Sequence, residues 1–190
     1  LNGEMVSVTS TGMGGPSAAI CLEELIHAGA ETFIRVGTCG RICEESYNKK
    51  YEGVVITGAI RHEGTTVQYI PIEYPAIADR HVTEALVQSA REQGFCFAEG
   101  IAQCKDSFYG QHDPDSMPNG FMLKSYWEAW KKAGVMASEM ESATVFIVAA
   151  IRGKRAGALM AYEHMNENTI KTAIGAIEKL IKADRMQSEK

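Results

Sequence analysis

The spacing of apolar positions along the chain alternates between a period of two and a period near 3.6. Short runs rich in β-branched residues predict five strands, and longer stretches with one apolar side predict five helices. The predicted strands cover residues 5–9, 32–36, 54–60, 95–104 and 155–161, and the predicted helices cover residues 16–29, 79–93, 124–133, 141–151 and 166–186.

The order of these segments predicts the fold class. Strands and helices alternate, and the first helix has the length expected for a crossover between the parallel strands 5–9 and 32–36. Residues 61–75 and 105–119 are expected to be irregular, and the almost wholly apolar helix 141–151 is expected to be buried. No linker divides the chain, so we expect residues 1–190 to form a single α/β domain with a largely parallel or mixed sheet.

Composition narrows the function classes. The net charge of −5 argues against broad nucleic-acid binding, which relies on a basic face. No apolar run approaches the roughly 20 residues that span a bilayer, so no membrane partner is expected. The five cysteines include no Cys-x-x-Cys pair, which favours reduced thiols and a cytoplasmic location.

The run FIRVGTCG, residues 33–40, places a cation and a hydroxyl at the end of an apolar strand. Arg35 interrupts the strand, and Thr38 follows Gly37. Because open α/β sheets bind ligands at the carboxyl ends of their strands, Arg35 and Thr38 are candidates to hold an oxyanion such as phosphate. The alternative is that Arg35 forms an internal ion pair with a carboxylate.

Two further segments carry polar groups suited to such a site. Glycines 12, 14 and 15 precede the first helix, where they either cradle an anion or form a structural turn. Glu139 and Glu141 flank Met140 before the apolar helix, where they either bind sugar hydroxyls or cap the helix. A cation and a carboxylate at one site suggest an enzyme that handles a sugar and a phosphate.

Phe108 and Gln111 lie in one predicted loop. An aromatic face can stack on a planar ring, and an amide can pair with the edge of a cyclic imide. From these two residues alone, a packed aromatic ring and a solvated glutamine are the favoured interpretation.

Several segments together resemble the nucleoside phosphorylases, and their order and spacing are similar to the uridine phosphorylases in particular. The resemblance runs from residue 1 to about residue 161 and is weaker in the last helix. It is carried by residues 9–17 (TSTGMGGPS), 33–40 (FIRVGTCG), 69–86 (which include EYPAIAD), 106–111 (DSFYGQ) and 139–142 (EMES).

The resemblance implies a fold and an activity. The fold would be a mixed, partly barrel-like central sheet flanked by helices. The activity would be that of a pentosyltransferase that converts uridine and phosphate to uracil and ribose 1-phosphate in pyrimidine salvage, with phosphate as co-substrate and no cofactor. The resemblance also implies a homo-oligomer, either a dimer or a hexamer built from three dimers.

The same resemblance assigns roles to individual residues. Arg35, Gly37 and Thr38 would bind phosphate, and Thr38, Met140 and Glu141 would bind ribose, with Arg35 and Glu141 as the catalytic pair. Cys39, Gly40, Phe108 and Gln111 would bind the base. Ser17 matches a position that holds a monovalent cation, potassium, at the dimer interface of some members.

The chain departs from that pattern in three places. Relatives carry an N-terminal strand and a glycine-and-arginine phosphate loop before the segment that matches Leu1. Relatives specific for uracil have an arginine where this chain has Asp113, so His112 or a water molecule is expected to serve the uracil 4-carbonyl. Relatives also have a flap after the last strand, whereas residue 161 here lies close to the terminal helix.

Two other functions remain open from the sequence. One is a purine nucleoside phosphorylase or a nucleosidase of the same family. The other is a catalytically silent nucleoside-binding protein.

Overall fold

The computed structural model describes residues 1–188, which form six strands and seven α-helices. The strands are β1 (Thr32–Arg41), β2 (Gly53–His62), β3 (Ala76–Ile77), β4 (Phe97–Lys105), β5 (Ala137–Glu139) and β6 (Arg155–Tyr162). The helices are α1 (Gly15–His27), α2 (Glu44–Asn48), α3 (Arg80–Glu92), α4 (Phe108–His112), α5 (Gly120–Lys132), α6 (Ser142–Ile151) and α7 (Glu167–Ser188).

The sheet is mixed and closes on itself. Its order is β3-β2-β4-β5-β1-β6, and β6 also pairs with β2, so five of the strands form a ring with β3 on its outer side. The β1–β6, β2–β4 and β4–β5 pairs are parallel, and the β1–β5, β2–β6 and β2–β3 pairs are antiparallel. The expectation of an α/β domain with a mixed, partly barrel-like sheet is therefore confirmed.

Helix α6 is the centre of the larger hydrophobic core. Its residues 142–149 are all buried, as its apolar sequence predicts, and Phe146 and Ile147 are almost inaccessible to solvent. Burying one side chain of this size stabilises the fold by roughly 2 kcal/mol. A second cluster lies between the sheet and the helices α3 and α7, and it includes Val55, Leu86, Leu159 and Leu180. The two hydrophobic clusters hold the sheet in place, and the polar residues of the candidate site lie on its strands.

The prediction of a strand at residues 5–9 is wrong. This segment has no regular structure, and Met5 and Val8 are 95% and 96% exposed. Alternation of apolar residues stabilises a strand only where a neighbouring strand supplies hydrogen bonds and a covering layer. Within residues 1–188, no strand pairs with this segment. A parallel crossover is present elsewhere, from β2 through α3 to β4.

Other elements differ from the sequence-based expectation in their bounds. Residues 105–119 are not wholly irregular, since they contain α4, whose first turn is capped by Ser107 Oγ accepting from the Gly110 N–H. Helix α5 begins four residues earlier than expected, at Gly120 rather than residue 124. The short elements α2, β3 and β5 carry no periodic signal, because two to five residues are too few to show one.

Candidate active site

Arg35 lies near the centre of a cluster of carboxylates. Its Nε donates to Glu139 Oε2 at 3.0 Å, and its Nη2 donates to Glu141 Oε2. The side chain of Glu139 is completely buried and that of Glu141 is 9% exposed, so both charges depend on this guanidinium for compensation. The internal ion pair that the sequence left open for Arg35 is thus present. Within residues 1–188, Nη1 of Arg35 makes no hydrogen bond and is free for a ligand.

Gly37 explains how the guanidinium reaches this position. A Cβ atom at Gly37 would lie 2.5 Å from Nη1 of Arg35, so the guanidinium passes directly over the glycine backbone. Thr38 follows on β1 and is exposed, and the regular pairing of residues 32–39 with β6 turns its side chain to the face opposite that of Arg35. Because β1 continues to Arg41, Arg35 and Thr38 lie within the strand and not at its carboxyl end, where the sequence predicted them. The joint role of Arg35 and Thr38 in one anion site stays a prediction.

Glu139 holds the start of α6 as well as Arg35. Its Oε2 atom accepts hydrogen bonds from the backbone N–H groups of Glu141 and Ser142, at 2.9 and 2.8 Å. The capping role that the sequence allowed for these acids is thus filled by Glu139. Because Glu139 takes the helix N-terminus, the Glu141 side chain is turned towards Arg35 instead.

The glycine turn before α1 meets the same cluster. The Gly14 N–H donates to Glu141 Oε1 at 2.6 Å, across 127 positions of sequence. Gly14 has φ 85°, which L side chains rarely adopt, and this conformation turns its N–H towards the carboxylate. Gly15 is equally constrained, since a Cβ there would lie 2.6 Å from Thr65 Oγ1. The turn binds a carboxylate of the protein itself, and the two oxygens of Glu141 are fixed by Gly14 and Arg35.

A cavity of about 560 Å³ is lined by residues of β2, β4, α4 and α5 and of the segments that join them. Its polar wall contains Gln103, Lys105 and Gln111, and its apolar wall contains Trp127 and Trp130. Gly40 on β1 is the register partner of Ser138 on β5, whose hydroxyl lies 2.7 Å from Gln111 Oε1. The cluster and the cavity are therefore joined through the two neighbouring residues Ser138 and Glu139.

Lys105 is a site residue that the sequence reasoning missed. It is 5% exposed, its Nζ donates to Ser138 Oγ at 2.7 Å, and it lines the cavity. Burial lowers the pKa of its ammonium group, while Glu139 and Glu141 oppose that shift. The available signal was a lysine directly after the apolar residues of a predicted strand, a position where a charge needs a partner.

The remaining predicted base-site residues occupy different environments. Phe108 is 51% exposed, and its ring lies 4.2 Å from that of His112. Cys39 is buried, its thiol faces the Ala161 carbonyl at 3.7 Å, and burial raises its pKa to about 12. Met140 is half-buried between the two acids. The contact of Gln111 with Ser138 holds α4 against β5. The roles of Phe108 and Cys39 in binding the base stay predictions.

Ser17, the predicted cation ligand, lies outside the carboxylate cluster. It is half-buried in the first turn of α1, and its hydroxyl donates to the carbonyl oxygen of Thr11. Residues 1–188 contain no group of three or more His, Cys, Asp or Glu side chains arranged to hold a metal ion. The alkali-cation role of Ser17 stays a prediction.

The closed mixed sheet, with an arginine and two acids in contact on its strands and a cavity nearby, defines an α/β protein with a buried polar cluster. The chain belongs to the phosphorylase superfamily, whose family model matches residues 1–184. The family recognised from the sequence motifs is thus confirmed.

Individual relatives agree with this assignment. The chain is 44% identical to the uridine phosphorylase of Treponema pallidum, over 94% of this chain and 74% of that protein. It is 39% identical to the uridine phosphorylase of Escherichia coli, over 83% of this chain and 62% of that protein. It is also 39% identical to a guanosine phosphorylase of Halorubrum lacusprofundi, over 83% of this chain and 60% of that protein. The chain thus spans about three fifths to three quarters of the length of these relatives.

Proposed function

We propose that the protein is a uridine phosphorylase, a pentosyltransferase that converts uridine and phosphate to uracil and ribose 1-phosphate. The observation that carries this proposal is the contact of Arg35 with Glu141, next to a cavity lined by amide and ammonium groups. The names of the similar relatives from Treponema pallidum and Escherichia coli support the same activity. The reaction needs phosphate as co-substrate and no further cofactor.

The phosphate site in this proposal is formed by Arg35, Gly37 and Thr38. The unpaired Nη1 of Arg35 supplies two N–H donors. The family resemblance assigns the exposed Thr38 hydroxyl as a third donor. Gly37 contributes by leaving room for the guanidinium, because a Cβ there would lie 2.5 Å from Nη1 of Arg35. Since Arg35 already faces two carboxylates, a dianion binds here by displacing the Nη2 contact to Glu141, which then becomes available to the sugar.

Glu141, together with Met140, forms the ribose site of the proposal. A phosphate oxygen attacks C1′ of the sugar as the C1′–N1 bond breaks, and the electron pair of that bond leaves with uracil. The sugar carries positive charge in the transition state, and the carboxylate of Glu141 stabilises it while accepting hydrogen bonds from the sugar hydroxyls. The Gly14 N–H fixes one carboxylate oxygen, so the other keeps its orientation during the reaction.

The base site of the proposal is formed by Gln111 and Lys105, which line the cavity, and by Phe108 and the backbone of residues 39–40, which the family resemblance assigns to it. Asp113 stands where uracil-specific relatives are expected to have an arginine, and His112 packs against Phe108 rather than lining the cavity. The Lys105 ammonium is the buried cation nearest to Gln111 in this network. We assign it to the uracil 4-carbonyl, where it stabilises the negative charge that develops on the leaving base.

The decisive experiment measures base release from uridine, thymidine, inosine, guanosine and methylthioadenosine, each with and without phosphate. The proposal predicts phosphate-dependent release of uracil as the fastest reaction. Release without phosphate would identify a nucleosidase. Binding of uridine by calorimetry with no release would identify a silent nucleoside-binding protein.

A second candidate function rests on one relative. The resemblance to the guanosine phosphorylase of Halorubrum lacusprofundi, together with the size of the cavity, favours a purine substrate as the alternative. Faster cleavage of guanosine than of uridine in the same assay would establish it.

We further propose a homo-oligomer, a dimer or a hexamer of three dimers, located in the cytoplasm and active in pyrimidine salvage. Exposed apolar side chains such as Tyr109 and Phe121, which are 71% and 72% accessible, support self-association.

The cytoplasmic location is supported by the buried thiols of Cys43 and Cys104, which suit a reducing compartment. No helix in the described part of the chain is long and apolar enough to cross a membrane. We also propose a potassium site at the adjacent oxygens of Ser17 and Thr11. Comparing the activity in potassium buffer with that in sodium buffer would test it.

A further inference from the structure

Four polar side chains form a continuous row, and three of them, His62, Gln103 and Gln111, line the cavity. His62 on β2 lies 3.4 Å from Gln103 Nε2 through its Nδ1, and Gln103 Oε1 lies 2.6 Å from Ser138 Oγ. Gln111 Oε1 lies 2.7 Å from the same hydroxyl. We call these four residues the amide relay. Gln103 and Ser138 are almost completely buried, at 2% and 3% exposure, so their polar atoms depend on each other.

The hydroxyl at the centre of the relay has three partners and only one hydrogen. The Lys105 ammonium can only donate, so it occupies one lone pair of Ser138 Oγ at 2.7 Å. The single Ser138 hydrogen serves one of the two amide oxygens. The other amide must turn its NH₂ group towards the remaining lone pair, because two acceptors cannot share one hydrogen at these distances.

The surroundings of the two amides decide which one turns. Gln103 is held at both ends, since its oxygen meets Ser138 and its nitrogen meets His62. Burial lowers the pKa of His62 and outweighs the opposite effect of Asp106, so the imidazole is neutral at neutral pH and can accept through Nδ1. The half-buried Gln111 lies at the cavity wall, where its amide has room to turn.

We propose that His62, acting through Gln103 and Ser138, is a positioning residue that orients the amide of Gln111 for uracil. In the relay, His62 accepts from Gln103 Nε2, Gln103 Oε1 accepts from the Ser138 hydroxyl, and Ser138 Oγ accepts from Gln111 Nε2. The Gln111 oxygen then faces the cavity. This inference rests on the proposed function for its ligand, and on the relay geometry for its residues.

The orientation has a consequence for base selectivity. Gln111 Oε1 presents an acceptor, flanked by donors from its own second N–H and from Lys105. That order of groups is complementary to the acceptor–donor–acceptor edge of uracil. Cytosine has an acceptor at N3 and a donor at C4, so the oriented amide rejects it. If the relay is broken, the amide turns freely and the discrimination falls.

The test compares His62→Leu with His62→Asn, two side chains of nearly equal size. Asn can place an oxygen close to the position of Nδ1, whereas Leu offers no acceptor. Uracil and cytosine binding to each full-length variant are measured by calorimetry, beside kcat and KM for uridine. We expect His62→Leu to weaken uracil binding about tenfold, to lower the uracil-to-cytosine affinity ratio, and to leave the KM for phosphate unchanged. His62→Asn should lie within about twofold of the wild type.

Equal affinity ratios in the two variants would overturn the proposal. If His62→Leu fails to fold, Gln103→Met breaks the relay one step further along, and a ratio unchanged from wild type would overturn it equally. If the wild type does not release uracil from uridine with phosphate, the proposed function fails. The binding ratios still decide the relay in that case, because they do not depend on turnover.

Discussion

Arg35 on β1 and Glu139 on β5 are joined by a 3.0 Å ion pair whose carboxylate is completely buried. The same carboxylate oxygen holds the first N–H groups of α6. One acid thus connects the cation of the candidate site to the helix at the centre of the core. Stability and the geometry of the site are coupled at this position.

Removal of Glu139 should therefore destabilise the whole fold. We expect Glu139→Ala to lower the free energy of unfolding by about 3 kcal/mol, because Arg35 and the start of α6 both lose their partner. Urea unfolding followed by circular dichroism measures the change. A loss below about 1 kcal/mol would show that the buried pair contributes little.

Arg35→Lys should weaken phosphate binding selectively. Lysine keeps the charge but loses the planar fork that reaches Glu139, Glu141 and a ligand together. The KM for phosphate should rise at least tenfold, with a much smaller change in uracil affinity. Arg91→Lys on the exposed face of α3 serves as the control. Equal losses for phosphate and uracil would mean that Arg35 has a structural role only.

Glu141→Gln should lower turnover more than binding. The amide keeps the shape of the side chain but removes the negative charge that faces the sugar in the transition state. We expect kcat for uridine to fall by well over tenfold, with the KM for phosphate unchanged or lower. Glu84→Gln, exposed on α3, is the matched control. A kcat within twofold of wild type would contradict the catalytic role.

Lys105→Met should impair recognition of the base. Methionine fills the same space without a charge, so the change removes the donor assigned to the uracil carbonyl. The KM for uridine should rise about tenfold while that for phosphate changes little. Lys132→Met at the exposed end of α5 controls for the loss of one positive charge. Unchanged uridine kinetics would remove Lys105 from the site.

The bidentate pair of Arg155 and Asp184 should give a measurable pH dependence of stability. Its two hydrogen bonds, 2.8 and 2.6 Å long, attach α7 to β6 and hold the pKa of Asp184 below its usual range. The contribution of the pair is therefore present above pH 4 and is lost as the pH falls through the lowered pKa. Because both side chains are partly exposed, we expect Asp184→Asn to cost about 1 kcal/mol at pH 7. A cost that does not shrink at any pH below 4 at which the wild type stays folded would contradict this account.

The long periodic elements could be predicted from the sequence. The apolar run of α6 predicts a fully buried helix, and the one-sided pattern of α3 predicts a helix with one buried face. Both patterns are clear because a helix of about three turns repeats its buried positions. The strand predicted at residues 5–9 is wrong because a strand, unlike a helix, needs a partner outside its own segment. Its alternation describes a surface suited to a neighbouring strand, and the pattern alone cannot supply that neighbour.

The candidate site was predictable only in part. Arg35, Glu139 and Glu141 stand out because charges beside buried elements need partners, and their convergence agrees with that expectation. Gln103 and Ser138 carry no local signal in the sequence, and the signal of Lys105, a charge directly after a predicted strand, does not say which group it meets. Their importance comes from β4 and β5 lying side by side, and a three-residue strand such as β5 carries no pattern of its own.

The sequence by itself determined the α/β class, the family and the presence of an arginine, glycines and acids suited to an anion and a sugar. These properties reside in local runs of residues. The tertiary structure decided which groups bind one another, since Arg35 meets Glu139 across 104 positions and Gly14 meets Glu141 across 127. Such contacts depend on how the sheet closes, and closure is set by the packing of all its strands rather than by any single segment.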